Sequence, residues 1–215
     1  MTPMNLYNFF RSGTSHRLRI ALNLKGVPYE YVAVDLRSNA HQSASFKALN
    51  PQGMVPVLAD GERVLSQSVA ILEWLEERYP TPALLPADLD DRAHVRALAA
   101  VVGCDIHPVN NKRILETLRN SFGADDAAIN RWCGTWISAG FATLETLLQS
   151  DARRGAFCFG DAPTLADVYL IPQIESARRF QTNLRPYPAI LAIEKACAQL
   201  PAFQRAAPAM QPDAS

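Results

Sequence analysis

At 215 residues with 48% apolar composition, the chain is long enough to bury a substantial core, and two domains are expected. Its 21 basic and 21 acidic residues leave a formal net charge of zero, which argues against nucleic acid or an anionic membrane as a partner. No apolar run reaches the roughly 18 residues that a membrane-spanning helix needs, and no signal-peptide pattern is evident. We therefore expect a soluble, cytoplasmic protein.

The four cysteines, at positions 104, 133, 158 and 197, form neither a C-x-x-C pair nor a zinc-binding pattern with histidines. Reduced thiols that are mostly buried in a core are typical of cytosolic proteins. We predict four such thiols and no metal site.

The first 80 residues alternate between strand and helix patterns in the order β-α-β-α-β-β-α. Asp60-Gly61 predicts a hairpin turn, and Ile71, Leu72 and Leu75 form the apolar stripe of an amphipathic helix. The predicted strands are 4–9, 29–34, 57–59 and 63–65, and the predicted helices are 18–24, 41–49 and 67–79. This order predicts a small α/β layer structure in residues 1–82.

Prolines at 80, 82 and 86 separate this part from a second half that is helical almost throughout, with predicted helices at 91–106, 125–148, 164–180 and from 188 onward. Pro108 is expected to bend the first of these near Asp105. Thr164 and Asp167 form a capping box at the start of the third, so Asp167 is assigned a structural role. Residues 90–215 are predicted to form an all-α domain, with a frayed tail after Pro208.

Two short segments of the first domain suit a peptide-like anion. Val55-Pro56 lies just ahead of a strand, where a proline donates no ladder hydrogen bond and often holds a cis peptide bond. Backbone groups exposed at such an edge can pair with an extended peptide. Gln67-Ser68 opens a helix, where free N–H groups attract a carboxylate. Simpler interpretations stay open: a rigid turn at Pro56, and helix capping by Ser66 or Ser68.

The turn after the first strand, Arg11-Ser12-Gly13-Thr14-Ser15, places small hydroxyl residues at the start of a helix. Backbone N–H groups and the helix dipole favour an anion there. A thiol has an ordinary pKa of about 8.5, and lowering it by about two units needs roughly 2.7 kcal/mol in favour of the thiolate. Ser12, the nearby amides and Arg11 could supply that preference. Plain helix capping by Ser12, Thr14 or Ser15 is the alternative.

The combination of these segments resembles the zeta-class glutathione transferases, a family that includes the maleylacetoacetate and maleylpyruvate isomerases. The resemblance rests on Arg11-Ser12-x-x-Ser15-x-Arg17-x-Arg19-Ile20-Ala21-Leu22, Asn50-Pro51-x-x-x-Val55-Pro56, Gln67-Ser68-x-Ala70-Ile71, Pro-Thr-Leu-Ala-Asp at 163–167, and Arg179-Phe180 ahead of Leu184-x-Pro186-Tyr187-Pro188. It implies a thioredoxin-like domain (βαβαββα) followed by an all-helical domain, assembly as a homodimer, and glutathione as the cofactor.

On this resemblance, glutathione lies across the first domain, with its cysteine backbone paired to Val55 and its sulfur at Ser12. Its γ-glutamyl carboxylate meets Gln67 and Ser68. His41 matches a position that contacts the glycyl end, although the residue pattern alone indicates a surface histidine. The implied glutathione-binding residues are Ser12, Gly13, Thr14, His41, Val55, Gln67, Ser68, Asp105, His107 and Asn111.

The family's usual Ser-Ser-Cys is Ser12-Gly13-Thr14 here, so the second hydroxyl and the active-site cysteine are missing. Ser12 is left as the main activating hydroxyl, with Thr14 as a candidate helper. Together with the segment 103–113, this motif most resembles the bacterial maleylpyruvate isomerases, and bacterial maleylacetoacetate isomerases share much of that segment.

The helical domain carries the residues that suit a diacid substrate. Cys104, His107 and Asn111 are predicted to share one helical face, at i, i+3 and i+7. Arginine holds a carboxylate by two parallel hydrogen bonds, so a substrate with two carboxylates needs two such cations. Arg11 and Arg179 are the predicted pair. A structural role for His107 and a solvated helix face for Arg178 are the alternatives.

The predicted function is the glutathione-dependent cis–trans isomerisation of a maleyl diketo acid, maleylpyruvate or maleylacetoacetate, to its fumaryl isomer in aromatic catabolism. The predicted catalytic residues are Ser12, Arg11, Arg179 and His107. One alternative is a general glutathione S-transferase that conjugates small electrophiles or α-halo acids. Another is a non-catalytic glutathione-fold binding protein, against which the presence of Ser12 argues.

Overall fold

The first part of the chain follows the predicted order of strands and helices in a computed structural model that describes residues 4–214. The strands are β1 (Met4–Asn8), β2 (Tyr29–Ala33), β3 (Val57–Asp60) and β4 (Arg63–Ser66), and the helices are α1 (Gly13–Leu24), α2 (Ala44–Leu49) and α3 (Ser68–Arg78). The sheet order is β2-β1-β3-β4, in which β1 is parallel to β2 and antiparallel to β3, and β3 is antiparallel to β4. The predicted thioredoxin-like fold is confirmed.

The core of this unit lies between the sheet and α1 and holds β1 and β3 in place. Leu6 and Leu58 face each other across the antiparallel pair and are fully buried, as are Leu18 and Leu22 of α1. Each such side chain contributes about 1.5–3 kcal/mol through burial. The chain therefore leaves β1 at a fixed point and enters α1 within a few residues.

The second unit is helical, and its helices are α4 (Leu89–Ala100), α5 (Lys112–Phe122), α6 (Asp126–Ser150), α7 (Leu165–Arg179) and α8 (Pro188–Cys197). Four of them match the predicted helices. Helix α5 was not predicted, and none of its side chains is buried. No helix within residues 4–214 is long and apolar enough to cross a membrane.

Helix α4 continues directly into a helical segment of another type, which lies just before Pro108, where the sequence predicted a bend. Val101–Ile106 forms a π-helical segment, in which the His107 N–H donates to the Val102 carbonyl five residues back, at 2.9 Å. This wide turn packs closely on its neighbours: a Cβ atom placed on Gly140 of α6 would lie 2.3 Å from Ile106 Cδ1. Any larger residue at position 140 would force the Ile106 side chain to move.

The capping box at the start of α7 is present, and Asp167 is structural in this arrangement. Its fully buried carboxylate accepts hydrogen bonds from the Thr164 N–H at 2.7 Å, the Thr164 hydroxyl at 2.9 Å and the Cys158 N–H at 2.9 Å. Burial raises the pKa of Asp167, and the hydrogen bonds from Thr164 and Cys158 act in the opposite direction.

The last residues differ most from the prediction. A further helix, α9 (Pro201–Ala206), and a 3-10 turn at Pro208–Met210 follow α8. The residues from Ala198 onward group with those up to Ala83, whereas Leu84–Cys197 form the helical unit. Helix α9 packs on α1 of the first unit, which accounts for this grouping, while the division into domains 1–82 and 90–215 stays a prediction.

The predicted frayed tail after Pro208 is wrong. Asp213 accepts a hydrogen bond from the Phe10 N–H at 3.1 Å and another from the Tyr31 hydroxyl. Gln211 is buried, and its side-chain amide donates to the carbonyl of Arg205 at 2.7 Å. These polar contacts hold the chain end against the first unit.

Arg19 of α1 joins the C-terminal segment to the end of β1. Its fully buried guanidinium donates to the Ala206 carbonyl at 3.0 Å, the Asn8 side-chain oxygen at 2.9 Å and the Phe10 carbonyl at 2.9 Å. Burial lowers the pKa of Arg19 to about 10. The cost of burying the Arg19 charge is offset by these hydrogen bonds, whose acceptors come from both ends of the chain.

Candidate functional site

Ser12 lies at the start of α1, as predicted, and is its N-cap residue. Its backbone is extended, with φ −69° and ψ 119°, and its hydroxyl oxygen accepts the Ser15 N–H at 3.3 Å. The Ser12 N–H in turn donates to the Phe9 carbonyl at 3.0 Å. The capping interpretation is thus correct, and it leaves the half-buried hydroxyl at the positive end of a helix, where an anion is favoured.

The turn at Ser12 is connected to the segment that precedes β3. Ser12 Oγ and Thr14 Oγ1 are 3.0 Å apart, and the Thr14 hydroxyl donates to the Val55 carbonyl at 3.2 Å. Phe9, Phe10 and Val55 also belong to one buried apolar cluster. Packing and hydrogen bonds therefore bring the first two predicted sites together. Gly13 lies between the two hydroxyl residues as the first residue of α1.

The peptide bond between Val55 and Pro56 is cis. Asn50 shapes the approach to this bond, since its side-chain amide donates to the Met54 carbonyl at 2.7 Å and its side-chain oxygen accepts the Gln52 N–H at 3.1 Å. Asn50 was quoted in the family motif but was given no role by the sequence. Its burial and its two hydrogen bonds indicate that it positions Val55.

Gln67 and Ser68 lie at the N-terminus of α3, as predicted. Gln67 is exposed and has a positive φ of 69°, a conformation that non-glycine residues rarely adopt and that is concentrated at functional sites. Ser68 is buried, and the guanidinium of Arg17 donates to its hydroxyl at 3.4 Å. The site therefore combines a helix N-terminus with a buried cation, Arg17, whose role the sequence did not predict.

Two further predicted residues of the first unit lie on its loops. His41 is in a 3-10 turn, Ala40–Gln42, and is buried, so the expectation of a surface histidine is wrong. A Cβ atom on Gly53 would lie 3.1 Å from the His41 carbonyl, which places this turn against the chain that leads to Val55. Arg11 is exposed, and its guanidinium lies 5.4 Å from the centre of the Phe10 ring.

In the helical unit, the predicted common face of Cys104, His107 and Asn111 is not formed by one α-helix. Cys104 and Asp105 are exposed on the π-helical segment, and His107 is the residue that ends it. Asn111 is the N-cap of α5 and accepts the Arg113 N–H at 3.2 Å. The i, i+3, i+7 rule assumes 3.6 residues per turn throughout, and the helix changes type twice across this segment.

Arg178 and Arg179 end α7 and have different surroundings. Arg178 forms a two-pronged ion pair with Glu194 of α8, with one of its two contacts at 2.7 Å, and this pairing raises the pKa of Arg178. Arg179 is exposed, lies 4.7 Å from the centre of the Phe180 ring and contacts the Ser176 hydroxyl at 3.4 Å. The expectation that Arg178 belongs to a surface helix face is confirmed, and an ion pair occupies it.

The four cysteines carry free thiols, and three of them are buried. Burial raises the pKa of Cys133 to about 11, while the nearby charge of Arg179 acts in the opposite direction. Burial also raises the pKa of Cys158 and Cys197, so the three buried thiols are poor nucleophiles, as expected of thiols in a core.

The first unit suits a γ-glutamyl tripeptide. Among residues 4–214, the Val55 N–H has no hydrogen-bond acceptor. The carbonyl of the same residue accepts a hydrogen bond from Thr14. An extended peptide can pair with both groups. A carboxylate suits the N-terminus of α3 above Arg17, and a thiolate suits Ser12. A thioredoxin-like unit with this set of groups, followed along the chain by a helical unit, defines the glutathione-transferase class of proteins.

Comparison with known proteins agrees with this class. The sequence models of the glutathione S-transferase N-terminal and C-terminal domains match residues 11–78 and 126–204. A protein named maleylpyruvate isomerase, from Ralstonia sp., is 69% identical over 212 residues, covering 99% of this chain and 100% of the relative. The chain belongs to the glutathione S-transferase family, and within it to the zeta class.

Two solved structures extend the comparison. One is the holo structure of a maleylpyruvate isomerase described as a zeta-class bacterial glutathione S-transferase. It has 69% identity and a TM-score of 0.97, covering 98% of this chain and 100% of that chain. The other is a maleylacetoacetate isomerase from Anaeromyxobacter dehalogenans 2CP-1 with dicarboxyethyl glutathione and citrate in its active site. It has 46% identity and a TM-score of 0.88, covering 99% of this chain and 94% of that chain.

Proposed function

We propose that this protein is a glutathione-dependent cis–trans isomerase that converts a maleyl diketo acid, maleylpyruvate or maleylacetoacetate, to its fumaryl isomer. The observation that carries the proposal is the Ser12 hydroxyl at the N-terminus of α1, joined through Thr14 to the Val55 backbone edge. The relative named maleylpyruvate isomerase, which matches along the whole chain, supports the choice of reaction.

Bound glutathione supplies a thiolate that adds reversibly to the conjugated cis double bond, so that the bond can rotate. The protein's task is to keep that sulfur ionised. Ser12 donates a hydrogen bond to it, and the N-terminus of α1 adds a favourable potential. Val55, Gln67 and Ser68 hold the peptide, with Arg17 beneath Ser68 as a further positive charge.

The substrate carboxylates are assigned to arginines. Arg11 and Arg179 are exposed guanidinium groups, and each can hold a carboxylate by two parallel hydrogen bonds. We place Asp105, His107 and Asn111 at the glutathione or substrate contacts of the helical unit, with Asn111 also capping α5. Negative charge that develops on the diketo acid is stabilised by the same cations.

The direct test is an ultraviolet assay of maleylpyruvate and maleylacetoacetate, each with and without glutathione, with the thiol quantified before and after turnover. We expect isomerisation of at least one substrate, only with glutathione, and no net loss of thiol. Consumption of one thiol per turnover would instead establish the conjugating transferase. Glutathione binding without any turnover would establish a binding protein.

Adjacent arginines offer a matched test of substrate binding. Arg179→Met is expected to lower kcat/KM for the diacid by about 10- to 100-fold, the effect of losing a charged hydrogen-bond pair. Arg178→Met removes a pair with Glu194 that faces solvent, so kcat/KM should stay within about threefold. Equal effects of the two substitutions would remove Arg179 from the site.

We also propose that the enzyme is a cytoplasmic homodimer. The free thiols suit a reducing compartment, and the exposed apolar side chains of Val64 and Val69, on β4 and α3, suit burial against a partner chain. Sedimentation at micromolar concentration tests the dimer, and a single species of the mass of one chain would contradict it.

A further inference from the structure

The three oxygens of Ser12, Thr14 and Val55 form a directed chain. The Val55 carbonyl can only accept a hydrogen bond. The Thr14 hydroxyl therefore donates its one proton to this carbonyl, at 3.2 Å. In the Ser12–Thr14 contact at 3.0 Å, Ser12 is then the donor. The Ser12 oxygen already accepts the Ser15 N–H. In this arrangement the Ser12 proton therefore points at the Thr14 oxygen. A sulfur atom beside Ser12 would face a lone pair of the Ser12 oxygen and not its proton.

Thiolate stabilisation requires the opposite direction, since only a donor stabilises an anion. The Thr14 bond to Val55 is long for a hydroxyl donor, whose usual distance is about 2.7–2.8 Å, so it is readily exchanged. The Val55 carbonyl is also the group with which a bound peptide N–H pairs in the proposed function. The same carbonyl is thus shared by the cofactor backbone and by Thr14.

We infer that Thr14 is a positioning residue that couples peptide pairing at Val55 to the direction of the Ser12 proton. The Val55 carbonyl can accept two hydrogen bonds, but a shorter bond from a peptide N–H weakens its attraction for the distant Thr14 hydroxyl. The Thr14 hydroxyl then turns to donate to Ser12, and Ser12 donates to the sulfur. Hydrogen bonds in such a chain strengthen one another. The thiol loses its proton to solvent and no bond to carbon changes. This inference rests on the proposed function and gives a physical role to the threonine that replaces the family's cysteine.

The test measures the pKa of glutathione bound to the protein, from the ultraviolet absorbance of its thiolate as pH is varied. Thr14→Val keeps the branched shape and removes the hydroxyl, whereas Thr14→Ser keeps the hydroxyl. We expect Thr14→Val to raise that pKa by about 0.5–1 unit, the effect of one hydrogen bond, and Thr14→Ser to leave it within about 0.2 unit. Calorimetric affinity for S-methylglutathione, which has no thiol, should change less than twofold in both.

The outcomes separate this inference from the proposed function. Suppose that Ser12→Ala raises the pKa of the bound thiol, whereas Thr14→Val leaves this pKa unchanged or lowers it. The coupling through Thr14 is then wrong, and the role of Ser12 stands. If Ser12→Ala also has no effect, the proposed activation itself fails. Should Thr14→Val not fold, Thr14→Cys serves in its place, because the family carries cysteine there. Because a thiol is a weak donor, Thr14→Cys should raise the pKa of bound glutathione by less than Thr14→Val does. No rise in this pKa would overturn the coupling through Thr14.

Discussion

Replacing Ser12 by alanine is expected to lower the isomerase kcat by about 10²- to 10³-fold, which is the usual effect of removing one donor that stabilises charge in an active site. The affinity for glutathione should fall less than about fivefold, because the backbone pairing at Val55 and the carboxylate site at Ser68 remain. Steady-state kinetics with maleylpyruvate and maleylacetoacetate, together with calorimetric titration, measure the two effects separately.

The control for Ser12→Ala must account for helix capping. Ser43 is the N-cap of α2 and accepts the Phe46 N–H at 3.2 Å, just as Ser12 accepts the Ser15 N–H in α1. Ser43→Ala therefore removes a cap of the same type, which contributes about 1 kcal/mol to stability, without touching the activating hydroxyl. We expect its kcat to stay within about twofold of the parent value. Similar losses in the two variants would show that Ser12 acts only as a cap.

Arg19→Met should have the largest effect on stability, with a loss of about 3–5 kcal/mol in the free energy of unfolding. The substitution leaves the carbonyls of Phe10 and Ala206 and the Asn8 side chain buried without their donor. Denaturant titration measures the loss, and limited proteolysis should show earlier cleavage after residue 198.

The control for Arg19→Met is an exposed arginine of the same unit. Arg63 forms a surface pair with Asp60 at 3.3 Å, and Arg63→Met should cost less than about 1 kcal/mol. If Arg19→Met proved as mild as Arg63→Met, the C-terminal segment would have to be held mainly by the packing of α9 on α1.

The sequence by itself determined the parts of this protein that depend on local patterns. Strand and helix patterns together with the Asp60-Gly61 turn predicted the order β-α-β-α-β-β-α, and the Thr164–Asp167 box predicted the start of α7. Ser12 was placed correctly at a helix N-terminus because capping is decided within four residues. Motifs that span nearly the whole chain indicated the family.

Other features were decided only by tertiary structure, because their partners are far apart in the sequence. Nothing near Asp213 indicates that its carboxylate accepts the Phe10 N–H, 203 residues away, and nothing near Glu145 indicates that it accepts the backbone N–H groups of Ala189 and Ile190. The π-helical segment Val101–Ile106 packs closely on Gly140 of α6, and spacing rules that assume a regular α-helix misplaced the residues around it. Buried hydrogen-bond donors need acceptors wherever the chain can supply them, and only the folded chain shows which residues those are.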